Sequence, residues 1–347
     1  MKRQQQLTEW VRTLFPGAPF TITPASADAS FRRYFRATFR DGPFPVTRVI
    51  MDAPPEHENC GPFLHVGRLF EAAGTHVPHV YAQDLEQGFL LLSDLGNTTY
   101  LQALTAQNAQ ALYGAATDAL IKIQLASRET ELPSYDEALL RRELNLFPEW
   151  YVGRHLGAVL SDKQRAVLEA VFRRILDNNL AQPSVYVHRD YHSRNLMHVE
   201  ALARDFPGAK DIAANPGILD FQDAVYGPIT YDLASLFKDA YIKWDEELVM
   251  DWLIRYWEKA RRAGLPVRAD FGDFYRDYEW MGVQRHVKVL GIFARLCHRD
   301  GKDGYLKDMP LVMDYLRRAC ERYAELRPLL NLLDELEPQP AQVGYTF

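Results

Sequence analysis

The spacing of apolar positions changes along this chain. Two runs rich in aromatic and β-branched residues, "FRRYFRATF" and "PVTRVIM", flank the turn signal "RDGP" and predict a β-hairpin. Residues 63 to 73 take up a helical spacing that stops at Gly74. "HVYAQDLEQGFLLLSDLG" then predicts a second hairpin. After about residue 97 the helical period dominates. Ala109, Leu112, Ala116, Leu120 and Ile123 recur at helical spacing. Ser161 and Gln164 form a capping-box pattern ahead of Val167, Leu168, Val171, Phe172, Ile175 and Leu176. Long helical patterns fill residues 246 to 263, 273 to 296 and 308 to 333, and short strand-like pieces, "SVYVH", "LMHV" and "GILDF", interrupt them. The pattern predicts an α+β fold of two lobes, a strand-rich N-lobe over 1–95 and a mainly helical C-lobe over 96–347.

Composition narrows the classes. A chain of 347 residues with 47% hydrophobic content can bury a sizeable core. Its formal net charge of -6 offers no basic excess for nucleic acid. The three cysteines, Cys60, Cys297 and Cys320, form no CxxC and fit a reducing compartment. "MKRQQQLTEW" is followed by no apolar stretch of a signal peptide, and "GFLLLSDLG" is too short to span a membrane. A cytoplasmic protein with neither a membrane nor a nucleic-acid partner is expected.

The chemistry concentrates in "VHRDYHSRNLM". His188, Asp190 and His192 alternate, as zinc ligands on one face of a strand would. The segment follows the β-run "SVYV" and reads as a loop, where alternation means little. A better match is the phosphoryl-transfer pattern H-R-D-L-x-x-x-N, met by His188, Arg189, Asp190 and Asn195 with Tyr191 in the leucine place. Downstream, Asp220-Phe221-Gln222 stands where D-F-G would. Such chemistry needs one carboxylate at the acceptor hydroxyl and an amide oxygen plus a second carboxylate on Mg²⁺. Hard Mg²⁺ takes oxygen ligands, which Asn195 and Asp220 supply. His188 reads as loop scaffold. Arg194 is open between orienting the loop and meeting a phosphate or a substrate carboxylate.

At these residues the chain resembles the aminoglycoside phosphotransferase and choline kinase group, of protein-kinase-like fold. More narrowly, "SFRRYFR", "VIMDAPPE", "LLLSDLG", "RRELNLFPEWY", "HRDYHSRNLM" and "GILDFQDAVYGPITYDLASL" are similar to bacterial N-acetylmuramate/N-acetylglucosamine anomeric kinases of cell-wall recycling. The resemblance implies ATP-dependent phosphorylation of the 1-hydroxyl of a small amino sugar, on the way to UDP-N-acetylmuramate. It implies Asp190 as catalytic base, Asn195 and Asp220 as metal ligands, and "LLSDLG" as the hinge that pairs with adenine around Ser93 and Leu95. It also implies that Asp232 steadies the catalytic loop. Two departures stand out. The phosphate-covering stretch "TPASADASFRRYF" has no glycine, so Ser30 and its neighbours would approach phosphate through hydroxyls and backbone N–H groups. The V-A-I-K lysine is missing as well. Arg48 in "VTRVIMD", or Arg33 on the adjacent strand, either replaces it or is a solvated edge-strand cation, and Glu71 is the candidate glutamate partner.

On the acceptor side, Leu139, Glu143, Phe147 and Trp150 fall on one face of a predicted helix. Two readings are open. Glu143 accepts hydrogen bonds from sugar hydroxyls with Trp150 as a ring platform, or Glu143 pairs with Arg189 or Arg194 and Trp150 is core. Asp223 contacts metal or sugar, or caps the next segment. Transfer to another hydroxyl (aminoglycoside, choline or homoserine) and a nucleotide-binding regulator without transfer are the rival functions.

Overall fold

The computed structural model describes residues 2–27, 31–40, 46–200 and 213–337. The chain packs as two compact units, Met1–Ala126 with Arg194–Asp223, and Ser127–Ser193 with Ala224–Phe347. Their boundaries follow packing. The expected division at residues 95 and 96 follows the change from strand to helix, so the two do not coincide.

In the first unit, helix α1 (Lys2–Leu14) precedes five strands: β1 (Phe20–Ala27), β2 (Arg33–Phe39), β3 (Val46–Asp52), β4 (Val80–Asp84) and β5 (Phe89–Ser93). They form one antiparallel sheet in the order β1-β2-β3-β5-β4. Both predicted hairpins are present. The edge strand β1 is an addition, and Pro24 is tolerated there because an edge strand leaves one side unpaired. Alternation divides the sheet faces. Phe35, Ala37, Ile50, Phe89 and Leu91 pack with Leu7, Trp10 and Val11 of α1. Tyr34, Arg36, Val49 and Leu92 therefore point to the other face.

Helix α2 (Gly61–Ala72) buries Phe63, Val66 and Phe70 and stops before Gly74, whose φ of 77° is the left-handed turn that predicts its end. Helices α3 (Tyr100–Ala103) and α4 (Ala109–Leu125) follow. The unit is completed by a short antiparallel ribbon from later in the chain, β7 (Leu196–Met197) against β8 (Gly217–Ile218).

Among its described residues the second unit holds the ribbon of β6 (Ser184–Val187) and β9 (Val225–Pro228) and the α-helices α5 (Glu137–Leu144), α6 (Asp162–Leu180), α7 (Tyr231–Phe237), α8 (Glu246–Arg262), α9 (Phe271–Asp300), α10 (Met309–Arg322) and α11 (Arg327–Leu336). The Ser161–Gln164 capping box forms at α6 as its sequence predicts. The pattern over 308 to 333 is broken at Ala324–Leu326, where a short 3-10 turn leads into Pro328 in the first turn of α11. The 30-residue α9 is buried along most of its length, its polar residues Gln284, Arg285, His286 and Lys288 included. Among the described residues no helix is long and apolar enough to cross a membrane.

Candidate active site

The first unit contains a cavity of about 360 Å³. Val49 and Leu92 of the sheet line it, as do Met197 and Leu219 of the ribbon segment. These apolar side chains suit a flat ring. Ser93, Leu95, Arg194, Asn195 and Asp220, all singled out from sequence, line the same cavity.

The Asn195–Asp220 pair is set by the backbone. Leu219 N donates to Asn195 O at 2.9 Å, which holds the two segments in register. Asn195 Nδ2 then lies 3.3 Å from Asp220 Oδ2, and Gln222 Nε2 donates to Asp220 Oδ1 at 2.8 Å. Asp220 has φ of 61°, a left-handed conformation that non-glycine residues adopt at some cost and that concentrates at functional positions. Its neighbour Phe221 is fully buried against Phe63 and Phe70 of α2, with ring centroids 4.9 and 6.0 Å away. Packing of the phenylalanine thus fixes the aspartate beside it. An amide and a carboxylate on neighbouring side chains offer the oxygen chemistry that fits Mg²⁺, which takes few protein ligands and completes its shell with water and phosphate oxygens. Among the described residues no three His, Cys, Asp or Glu side chains gather as a metal cluster.

The "LLSDLG" segment, expected to be a hinge, is braced by a pair that sequence reasoning missed. Arg36 donates through Nε and Nη2 to Asp94 at 2.5 and 2.9 Å, and through Nη2 to Gly96 O at 3.2 Å. Asp94 also accepts from Gly96 N at 3.0 Å. This bidentate pair fixes the backbone on either side of Leu95. Pocket-facing alternation along "FRRYFRATF" could have pointed to Arg36.

Other expectations are corrected. Arg33 and Arg48 lie on the sheet face that packs against α1, and neither lines the cavity. Arg33 Nε donates to buried Asp52 at 3.2 Å, and the Arg48 guanidinium sits 4.4 Å from the Tyr81 ring centroid. Strand alternation assigns those positions to the wrong face for a phosphate contact. Glu71 pairs with His79 Nδ1 at 2.6 Å. Ser30 lies outside the described residues, and so does most of the excursion between "LMHV" and "GILDF". Asp223 is exposed in a turn and does not line the cavity.

The second unit carries the H-R-D part of the loop. Asp232, in the first turn of α7, accepts His188 N at 2.7 Å and Arg189 N at 3.0 Å. These bonds hold Arg189 at φ of 77°. His188 is wholly buried, and its Nδ1 lies 3.2 Å from Asp190 N, the geometry of scaffold. Ser193 N is held by buried Asp239 at 2.9 Å. Burial pushes the Asp232 carboxyl up to about 7 against the pull of its two N–H donors. Burial also pushes Asp190 upward, but the charges of Lys288, His192 and Arg285 outweigh it and hold Asp190 below the ordinary aspartate value. Asp190 is therefore an ionised carboxylate at neutral pH, as a proton acceptor must be.

Glu143 follows the second of its two readings. It is buried, 2.6 Å from Arg189 Nη2 and 3.0 Å from Lys288 Nζ, and it accepts the Tyr135 hydroxyl. Trp150 does not share its stripe. Helix α5 ends at Leu144, and Phe147–His155 forms a π-helical segment whose wider turn shifts the register that a 3.6-residue period assumes. Trp150 is half-buried. Lys288 and Arg285 were also missed. Their signal is two cations inside "MGVQRHVKVLGIF", an otherwise mostly apolar helical run.

Comparison with known proteins agrees with this geometry. A family model described as "Phosphotransferase enzyme family" matches residues 21–266. A protein of Neisseria meningitidis serogroup B named N-acetylmuramate/N-acetylglucosamine kinase is 50% identical over 352 residues, covering 100% of both chains. One of the same name from Pseudomonas putida is 50% identical, covering 96% of this chain and 97% of its own. Among solved structures, a choline kinase from Cryptosporidium parvum superposes with a TM-score of 0.59 at 11% identity, covering 94% of this chain and 99% of that one. The ADP-bound aminoglycoside phosphotransferase APH(2'')-Ib gives 0.57 at 13% identity, covering 89% and 97%. The fold is thus α+β and protein-kinase-like, with a sheet-rich N-terminal region and a helical C-terminal part. With a family model over most of its length and relatives half identical from end to end, the chain belongs to the phosphotransferase enzyme family, in the group of these N-acetylmuramate/N-acetylglucosamine kinases.

Proposed function

We propose that this protein is an ATP-dependent sugar kinase that phosphorylates the anomeric 1-hydroxyl of N-acetylmuramate and N-acetylglucosamine, a step of peptidoglycan recycling. The observation that carries the reading is the 50% identity, over the whole chain, to kinases named for these two sugars. Residues 1–95 act as the nucleotide-covering lobe and 96–347 carry the catalytic loop and acceptor site. Ser93 and Leu95 present hinge backbone to adenine, and the apolar side chains around them sandwich the ring. Asn195 and Asp220 hold Mg²⁺, which when bound neutralises charge on the phosphates. Asp190 orients the 1-hydroxyl and accepts its proton as the hydroxyl oxygen bonds to the γ-phosphorus and ADP leaves. An anomeric hydroxyl is more acidic than an ordinary alcohol, so positioning and charge stabilisation carry most of the rate. Arg194, which lines the cavity as Arg33 and Arg48 do not, meets phosphate in the part proposed for them; its place in the lining supports this reading.

The test is incubation with ATP, Mg²⁺ and each candidate acceptor, with the product read by phosphorus NMR. An anomeric sugar phosphate from N-acetylmuramate or N-acetylglucosamine is expected. Transfer only to choline, homoserine or an aminoglycoside would replace the substrate, and ATP binding without transfer to any acceptor would make the protein a regulator.

A further inference from the structure

Helix α9 carries two buried cations on one side, Arg285 and Lys288. Lys288 is matched: its Nζ lies 3.0 Å from Glu143 Oε1 and donates to the Tyr231 hydroxyl at 2.9 Å. Arg285 is different. It is 3% exposed, and its Nε and Nη1 have no hydrogen-bond partner among the described residues. A buried guanidinium with unmet N–H groups is costly, and the cost is recovered where a ligand brings the acceptor.

The surroundings indicate which ligand. Lys288 leads through Glu143 to Arg189, the residue before Asp190, and the Arg285 charge is felt by both Asp190 and Asp232, so Arg285 belongs to the charge cluster around the catalytic loop. That cluster sets Arg189, Arg285 and Lys288 against Glu143, Asp190 and Asp232. Glu143 is taken by Arg189 and Lys288. Asp232 is taken by backbone N–H groups and shares its negative charge with a proton near neutral pH. Three cations face three carboxylates there, and among the described residues Arg285 is the cation of this cluster with two buried nitrogens, Nε and Nη1, that lack an acceptor.

We propose that Arg285 is a specificity-determining residue that receives the carboxylate of an acidic acceptor sugar. This rests on the sugar-kinase reading above. N-acetylmuramate differs from N-acetylglucosamine by a lactyl ether whose carboxylate is ionised. The planar fork of a guanidinium matches a carboxylate, whereas an ammonium offers only a point charge.

The experiment compares N-acetylmuramate, its methyl ester and N-acetylglucosamine as acceptors for the wild type, Arg285→Met and Arg285→Lys. The wild type should use the ester with a KM about ten- to a hundredfold above that of the acid, the range a charge-assisted hydrogen bond gives. Arg285→Met should raise KM for the acid by a similar factor and level acid with ester, whereas KM for N-acetylglucosamine changes far less and any change of kcat through the lost charge near Asp190 is common to both sugars. Arg285→Lys should recover part of the loss. Equal rises in KM for both sugars would overturn the assignment, because they would place Arg285 at a part of the site that both sugars share or in the fold. Equal use of acid and ester by the wild type would overturn it even if Arg285→Met fails to fold. If the wild type phosphorylates neither sugar, the sugar-kinase reading itself fails and takes the assignment with it.

Discussion

Glu143 is surrounded by Arg189, Lys288 and the Tyr135 hydroxyl, and that company decides its role. Burial alone would push its carboxyl up, yet Lys288 and Arg189 hold it below the ordinary glutamate value. Its stabilisation is therefore present at neutral pH and lost as pH falls through the depressed native value. Glu143→Gln leaves two cations without their counter-charge, so a loss of roughly 3–5 kcal/mol is expected. A lowered melting temperature with an unchanged sugar KM is the expected result, and the reverse would return Glu143 to the sugar site. For Asp190, Asp190→Asn should cut turnover by about 10²–10⁴-fold while calorimetry finds ATP affinity unchanged. Because Asp190 is held below its ordinary value, its ionisation puts no acid limb on the rate between about pH 5 and 8. A limb in that range which vanishes in Asp190→Asn would contradict the assignment. That Asn195 and Asp220 meet at the cavity was legible in the sequence, because the spacing of the motif places them there, and the same spacing singled out Asp190. The partners of Glu143 were only half legible: Arg189 stood among the candidates, but Lys288 is 145 positions away.

At the scale of elements, the local signals translated well. The end of α2 at Gly74 and the cap of α6 are decided by a few neighbouring residues, and both form as their sequences predict. The stripe through Glu143 and Trp150 failed because a π-helical turn replaces the assumed α-helical one. That segment packs against α9 at Gly291, where a Cβ would meet the backbone C and O of Leu146 at 2.5 Å. Glycine to alanine inside a helix ordinarily stabilises by about 0.5–1 kcal/mol. Here Gly291→Ala must separate the two elements, and a net loss of roughly 1–3 kcal/mol is expected. Thermal denaturation checks the sign, and a raised melting temperature would show that the close approach is not as described.

For the molecule as a whole, chain order and compact units part company. The cavity is built within one unit, but that unit is discontinuous, Met1–Ala126 with Arg194–Asp223. A chain ending at Ala126 lacks Arg194, Asn195, Met197, Leu219 and Asp220 from the cavity wall. Such a fragment should bind ATP at least about a hundredfold more weakly than the full chain in calorimetry, having lost one side of the proposed ring slot and both proposed metal ligands. Comparable affinity would mean that the nucleotide does not use this cavity. The sequence by itself determined the α+β order of elements, the phosphoryl-transfer motif and the family, because period, caps and motif spacing are local properties of the chain. Only the tertiary structure decided that Arg33 and Arg48 face α1, that Arg36 braces Asp94 and Gly96, that Glu143 is consumed by cations and that Arg285 is buried with N–H groups unmet among the described residues. Each of these depends on which distant residue arrives as a neighbour, and burial then sets the cost of leaving a charge unmatched.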